Sequence, residues 1–592
     1  MIRSLPCGAL VLLISMGGPA AEPPSLEDDA RQFLALYNSL YLAVSRVANE
    51  ASWRAVTDVT PENDGERVGA NKAYAAFTGN RGIIERAREY LKRESELSPS
   101  SVRQLRKILL AAAEAPGTVP DIVAARVEAE SRQSSIQDSF EFTVDGRKLT
   151  ANDIDRILQK SVDLAERRTA WEASKEIGKP LRAGLIELQR LRNAVARELG
   201  FSSFHALQVA DYDMSVQEMA DLLDGFVRDT KPLYDELHLW TRRHLARRYG
   251  APVPEDSIPA HWINNRWSQN WTGIVEAADL DPYFAGREPS WIVKTSEAFY
   301  TSMGFEALPE SFWKKSDLYP VSPGESRKKN SHASAWHVDV ERDVRSLMSI
   351  EPDERWFSTS HHELGHIYYY LSYTRPEVPP ILRAGANRAF HEGIGELISI
   401  ASHQTPYLKG LGIIPADKVI DPIPFLLNEA LGETIPFIAW SAGVMARWEA
   451  DLYEKNLPPS EWNRRWWSYV KEYQRVEPPS PRGEEYCDPA TKTHINDDPA
   501  QYYDYAIATV LKYQLHEHIA RKILREDPRS CNYHGKREVG DFLKSILKEG
   551  ASRPWRDVLR EATGEDLSTR AMMAYFEPLR EWLRKENAAP AR

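Results

Sequence analysis

Residues 361–366 read His-His-Glu-Leu-Gly-His, and Glu392 follows in the run FHEGIGE, 26 residues after His366. On a helix, His362 and His366 stand one turn apart and project from one face. That spacing suits two imidazole nitrogens on one zinc ion. Glu363, beside the first of them, can reach a water in such a site. Glu392 can supply a third ligand if its own helix packs alongside. Three protein ligands leave a fourth position for water or substrate, which is the catalytic arrangement. HExxH also arises where no metal binds, and Ser360-x-x-Glu363 could be only a capping box. The downstream helical pattern with Glu392 and Glu396 favours the metal reading. A metzincin pattern is excluded, because Tyr369 and Ser372 occupy the positions of its glycine and third histidine. The third ligand is therefore expected to be a carboxylate. Glu396, one turn after Glu392, could hydrogen-bond the second nitrogen of a ligating histidine, or could be a surface carboxylate.

With 592 residues, 42% of them hydrophobic, the chain can bury a large core. Its net charge of −11 disfavours nucleic acid as a partner. The basic pairs Arg242-Arg243 and Arg247-Arg248 lie in a helical pattern and read as a solvated face. Residues 1–21 read as a signal peptide, with Arg3 followed by an apolar stretch too short to span a membrane. The mature chain is expected to be exported, periplasmic or extracellular, without a membrane anchor. Cys487 and Cys531 could then form a disulfide or remain two buried thiols.

Helical periodicity dominates. It marks stretches from Phe33 to Val47, 81–97, 102–113 and 154–199, the last breaking near Gly178-Lys179-Pro180 and ending before Gly200. A capping box at Ser215-x-x-Glu218 starts a helix that runs toward Gly250 with a disturbance at Pro232. Arg266 to Trp271 reads as helical. His332 to Val340 partly alternates and reads as a short strand, either a structural hairpin or an edge that could pair with an extended peptide. Pro352 suits the first turn of the HExxH helix. Residues 425–475 and the remainder from Tyr502 to about 587 are helical. Strands are few and no linker cuts the chain, so one catalytic unit, 22–592, in two lobes about a cleft is expected.

These stretches together resemble a known family. HHELGH, GANRAFHE, HASAW, RWSQNW, KTHIN…YYDY and SRPWRDVL…MMAYFEPLREWLRKEN are similar, in the same order, to angiotensin-converting enzymes, the M2 peptidyl-dipeptidases. The resemblance implies a mainly α, elongated, two-lobed ellipsoid with a deep central zinc-containing channel and very little β. It implies one Zn2+ on His362, His366 and Glu392, with Glu363 as general base. His494 and Tyr505 match the residues that stabilise the developing oxyanion. Gln269, Lys492 and Tyr502 match the trio that holds the substrate's C-terminal carboxylate, and His332 and Ala333 match positions on the peptide backbone. The implied activity is release of C-terminal dipeptides from oligopeptides with a free C-terminus. A thimet-type zinc endo-oligopeptidase shares HExxH and the distant glutamate but not the clamp. A catalytically silent peptide-binding homologue would keep the zinc site, but the intact Glu363 argues against it.

The sequence departs from the family pattern at informative places. Chloride-activated members carry arginines where this chain has Asp504 and Val470. A carboxylate repels an anion, so chloride activation of the usual kind is not expected. Glu396 stands where the family usually has aspartate.

Overall fold

Capping side chains start many of the helices that the periodicity predicts. Ser25 accepts from the Asp28 amide, and Ser215 forms a complete capping box with Glu218. Asp353 starts the HExxH helix by accepting from the Trp356 amide at 2.7 Å. The computed structural model describes residues 25–275, 280–432 and 434–589. The signal peptide expected at 1–21 lies outside the described residues.

Helix takes 65% of the described residues and strand 3%, so the mainly α expectation stands. Among the described residues, strands occur only as two-stranded pairs. One of them is the antiparallel hairpin of Ser334–His337 with Val344–Leu347, whose first strand lies inside the stretch 332–340 expected to be extended. A large core runs through the molecule and includes Trp171, Trp271, Trp440, Leu364, Ile394 and Leu511. A smaller core joins the helices Leu26–Thr57, Arg81–Leu91 and Pro99–Ala112 to Val378, Ile381 and Leu382. No described helix is long and apolar enough to cross a membrane.

Several local expectations are corrected. Residues 266–271 are not helical. The Asn265 side chain accepts from the Trp267 amide at 2.9 Å, Ser268 adopts a positive φ of 55°, and the Trp271 amide bonds to the Leu431 carbonyl at 2.8 Å. A short polar side chain has here drawn backbone donors away from a helical ladder. Buried Arg167 fixes the adjoining segment by donating to the carbonyls of His261, Trp262 and Ile263.

Pro232 does not disturb its helix, which runs unbroken over Val216–Tyr249. Pro232 and Arg228 are both exposed, so water can take the carbonyl that loses its donor. The 154–199 stretch divides into Ala151–Lys160, Leu164–Ser174 and Gly178–Glu198. Pro180 sits in the first turn of the last of these, where no amide donor is required. Gly200, with φ of 94°, ends it as expected. The HExxH helix begins at Glu354 rather than at Pro352, because Asp353 is the better cap. Cys487 and Cys531 are both free and buried, so they do not form a disulfide.

Neutral histidines are part of this interior. His205 is only 4% exposed and its Nδ1 is buried without a hydrogen-bond partner. Burial lowers its pKa from 6.5 to about 4. The unfolded chain therefore takes up a proton near pH 6.5 that the folded chain refuses until about pH 4. The stability involved is present above pH 6.5 and is lost as pH falls toward 4, by about 3 kcal/mol at the limit. His205→Leu should show a smaller fall in Tm between pH 7 and 4.5 than the parent, by scanning calorimetry. Equal falls would contradict this account.

Candidate metal centre

Two helices carry the metal candidates, Glu354–Tyr373 and Arg388–Ser402. They approach closely because glycine meets glycine. A Cβ added at Gly365 would lie 3.1 Å from the Gly395 Cα, and one added at Gly395 would lie 2.7–2.9 Å from three atoms of the His362 ring. The His362 imidazole thus lies against bare backbone of the neighbouring helix, which leaves its outer nitrogen facing Glu392.

The ligand atoms of His362, His366 and Glu392 all lie within 4.8 Å of one another. The two Nε2 atoms are 3.1 Å apart, and His362 Nε2 is 3.6 Å from a Glu392 carboxylate oxygen. Ligands about 2.0–2.1 Å from a tetrahedral zinc stand roughly 3.3 Å apart. The donor set, two imidazoles and a carboxylate, is that of a catalytic zinc site, and the spacing fits the ion. Burial pushes Glu392 upward, but the His362 hydrogen bond and His366 outweigh it and bring the pKa down to about 2.

Glu363 is 6% exposed, and its Oε2 is buried with no hydrogen-bond partner. Burial raises its pKa to about 7, with His362 opposing. An unsatisfied, basic carboxylate beside the ligand group is suited to taking a proton from water. His361 is a structural residue: its Nδ1 lies 2.8 Å from the Phe357 carbonyl and its Nε2 3.3 Å from the Tyr407 hydroxyl. Ser360 lies within the helix rather than at its start, with its hydroxyl 3.0 Å from that of Ser296, so the capping-box alternative is excluded.

Glu396, a candidate partner of a ligating imidazole, has one carboxylate oxygen 2.8 Å from the Lys512 ammonium, and its charge also acts on the His362 ring. The Nδ1 of His366 faces the Nδ1 of His391 at 2.9 Å. His391 is part of the FHE run, but nothing in the spacing revealed that its ring folds back onto His366.

A second cluster gathers Gln269, Lys492 and Tyr502. Lys492 is 5% exposed. Its ammonium donates to Gln269 Oε1 at 2.9 Å and lies 4.6 Å from the Trp267 ring centre and 5.1 Å from that of Tyr502. Trp267 and Lys175, whose ammonium lies 5.3 Å from the Trp267 ring centre, were not singled out from the sequence. Burial brings the Lys175 pKa down to about 7.

Tyr502 also contacts His494 and Tyr505, with ring centres 4.9 Å apart in each case. Burial, assisted by Lys492, lowers the His494 pKa to about 4. Burial and Asp504 push Tyr505 up to about 12. Both are therefore neutral hydrogen-bond donors near neutral pH.

Arg388 ties this cluster to the helix that carries Glu392. Standing one turn before Glu392, it pairs with buried Asp504 at 2.7 Å and with Asp498 at 2.6 Å, and it donates to the Tyr505 hydroxyl at 3.4 Å. His332 is exposed, and Ala333 is half-buried at the entry to the hairpin. The hairpin joins the HExxH helix through Tyr370, whose hydroxyl donates to the Ala335 carbonyl at 3.3 Å.

Gly395→Ala should push the His362 ring aside and weaken zinc binding roughly ten- to a hundredfold, as a disoriented ligand does. Chelator competition measures this, and unchanged affinity would mean that the helix crossing does not set the ligand geometry.

A family model described as angiotensin-converting enzyme matches residues 24–591. The chain is 30% identical over 586 residues to the mouse angiotensin-converting enzyme-like protein Ace3, covering 95% of this chain and 77% of that protein. It is 29% identical over 596 residues to the angiotensin-converting enzyme of the leech Theromyzon tessulatum, covering 94% and 92%. It is 30% identical over 606 residues to the rat enzyme, covering 96% of this chain but 44% of that longer protein. That family is zinc-dependent. With its match along nearly the whole length, the chain belongs to the angiotensin-converting enzyme family of M2 peptidases.

Proposed function

We propose that this protein is an exported zinc peptidyl-dipeptidase that releases dipeptides from the free C-termini of oligopeptides, as one catalytic unit of two lobes over 22–592. The observation that carries the reading is the Lys492–Gln269–Tyr502 cluster, linked through His494, Tyr505 and Arg388 to the helix of Glu392.

His362, His366 and Glu392 would hold the zinc, which when bound supplies Lewis-acid polarisation of a carbonyl and acidifies a water. Glu363 takes the water's proton and passes it to the leaving amine. Tyr505 and His494 donate hydrogen bonds where negative charge develops, each contributing on the order of 3 kcal/mol to barrier lowering. Lys492 holds the substrate carboxylate as a point charge, with Gln269 and Tyr502 adding directional bonds. The His332–Ala333 segment offers backbone groups to the extended peptide. A carboxylate held at a fixed distance from the metal group sets the cut two residues from the end.

Arg388 supports the expectation about chloride. Asp504 already has its counter-charge in Arg388, and an added anion would meet a carboxylate there. Activity should stay flat as chloride is raised at constant ionic strength. Strong activation would contradict this.

One peptide assayed with free and amidated C-termini tests the specificity. The free acid should be cleaved far faster, with a dipeptide as product by mass spectrometry. Equal rates would favour the endo-oligopeptidase. Lys492→Ala should raise KM for free-acid substrates while leaving kcat closer to that of the parent. Glu363→Gln should abolish turnover while zinc remains bound, and undiminished hydrolysis would remove the mechanism.

A further inference from the structure

A ligating imidazole works only in the correct tautomer, and the group that enforces the tautomer at His366 is visible in the packing. We propose that His391 is a positioning residue that holds the His366 proton on Nδ1 and so keeps Nε2 available to the metal.

The two Nδ1 atoms are 2.9 Å apart, so one carries a proton and the other accepts it. His366 Nε2 points toward the ligand group, 3.1 Å from His362 Nε2. A nitrogen that binds a metal must present a lone pair, so the His366 proton belongs on Nδ1. His366 then donates and His391 Nδ1 accepts, which leaves the His391 proton on Nε2. The opposite direction would put the His366 proton on Nε2, among the ligand atoms, where it would block coordination.

His391 Nε2 is buried and has no hydrogen-bond partner. No other neighbour therefore dictates the His391 tautomer, and the direction of the shared bond is set at His366. The ring is seated to do this. It packs 4.7 Å from the Tyr369 ring and 5.0 Å from the Tyr370 ring, measured between centres. A Cβ at Gly385 would lie 2.5 Å from His391 Cδ2, so only glycine leaves room for the imidazole. A ligating histidine usually has a carboxylate, carbonyl or water on its second nitrogen. Here Glu396 is paired with Lys512 at 2.8 Å, and an imidazole stands in that place.

The proposal rests on the zinc assignment above but not on dipeptide specificity. Its test is zinc affinity, measured by competition with a chromophoric chelator for the parent, His391→Phe and His391→Asn. Circular dichroism of the metal-free proteins confirms folding. The Asn amide oxygen can occupy roughly the place of Nδ1 and accept the same proton. The expected result is zinc bound roughly ten- to a hundredfold more weakly by His391→Phe, with most of the affinity recovered in His391→Asn. Equal affinity in the parent and His391→Phe would overturn the role of His391 and leave the site standing. Equal losses in both variants would also overturn it, since any disturbance of packing would then suffice. A parent that binds no zinc would overturn the site and the proposal together.

Discussion

The site depends on how closely two helices can approach. Helices that cross through ordinary side chains keep their axes about 8–10 Å apart. At Gly365 and Gly395 the side chains are absent, and the His362 ring lies where a Cβ on residue 395 would stand. On its other side, the Glu392 helix presents Gly393 to the helix Tyr503–Glu517, where an added Cβ would come within 2.9 Å of Leu511 and 3.3 Å of the Ala508 carbonyl. The carboxylate helix is therefore held between the imidazole helix and the helix that begins beside Tyr505. The candidate metal ligands and the residues proposed as oxyanion donors occupy one block of packed backbone, and their relative positions are set by the core rather than by loops.

Charge within that block follows from burial. Glu363 is buried and its Oε2 has no hydrogen-bond partner, so burial makes it far more basic than an ordinary glutamate. His494 is driven the other way by the same cause. Arg388 bridges Asp498 and buried Asp504, which places a fixed ion-pair network behind Tyr505. Lys492 is stabilised by aromatic faces and an amide oxygen.

Local sequence signals failed where side chains competed for backbone donors or where solvent relieved a defect. Arg266 to Trp271 has an aromatic pattern that reads as helix, but Asn265 takes the Trp267 amide. Pro232 reads as a helix breaker, but it lies on a wet face where its missing bond costs little. Cysteine number allowed a bridge between Cys487 and Cys531, which the fold leaves as separate buried thiols. Glu396 had the spacing for a ligand's partner, and its spacing carried no sign of the Lys512 ammonium that pairs with it from another helix.

The sequence by itself determined the helical class, the caps that start many helices, and the ligand candidates His362, His366 and Glu392, because each is written in local periodicity or in a one-turn spacing. Motif order along the chain also identified the family. Only the tertiary structure decided that Glu392 reaches the imidazoles, that His391 rather than Glu396 faces His366, that Arg388 supports Tyr505, and that Gln269 meets Lys492 across 223 residues. These contacts join segments far apart in the chain. They exist because glycine crossings and a buried core fix the distance between helices, and no local pattern carries that distance.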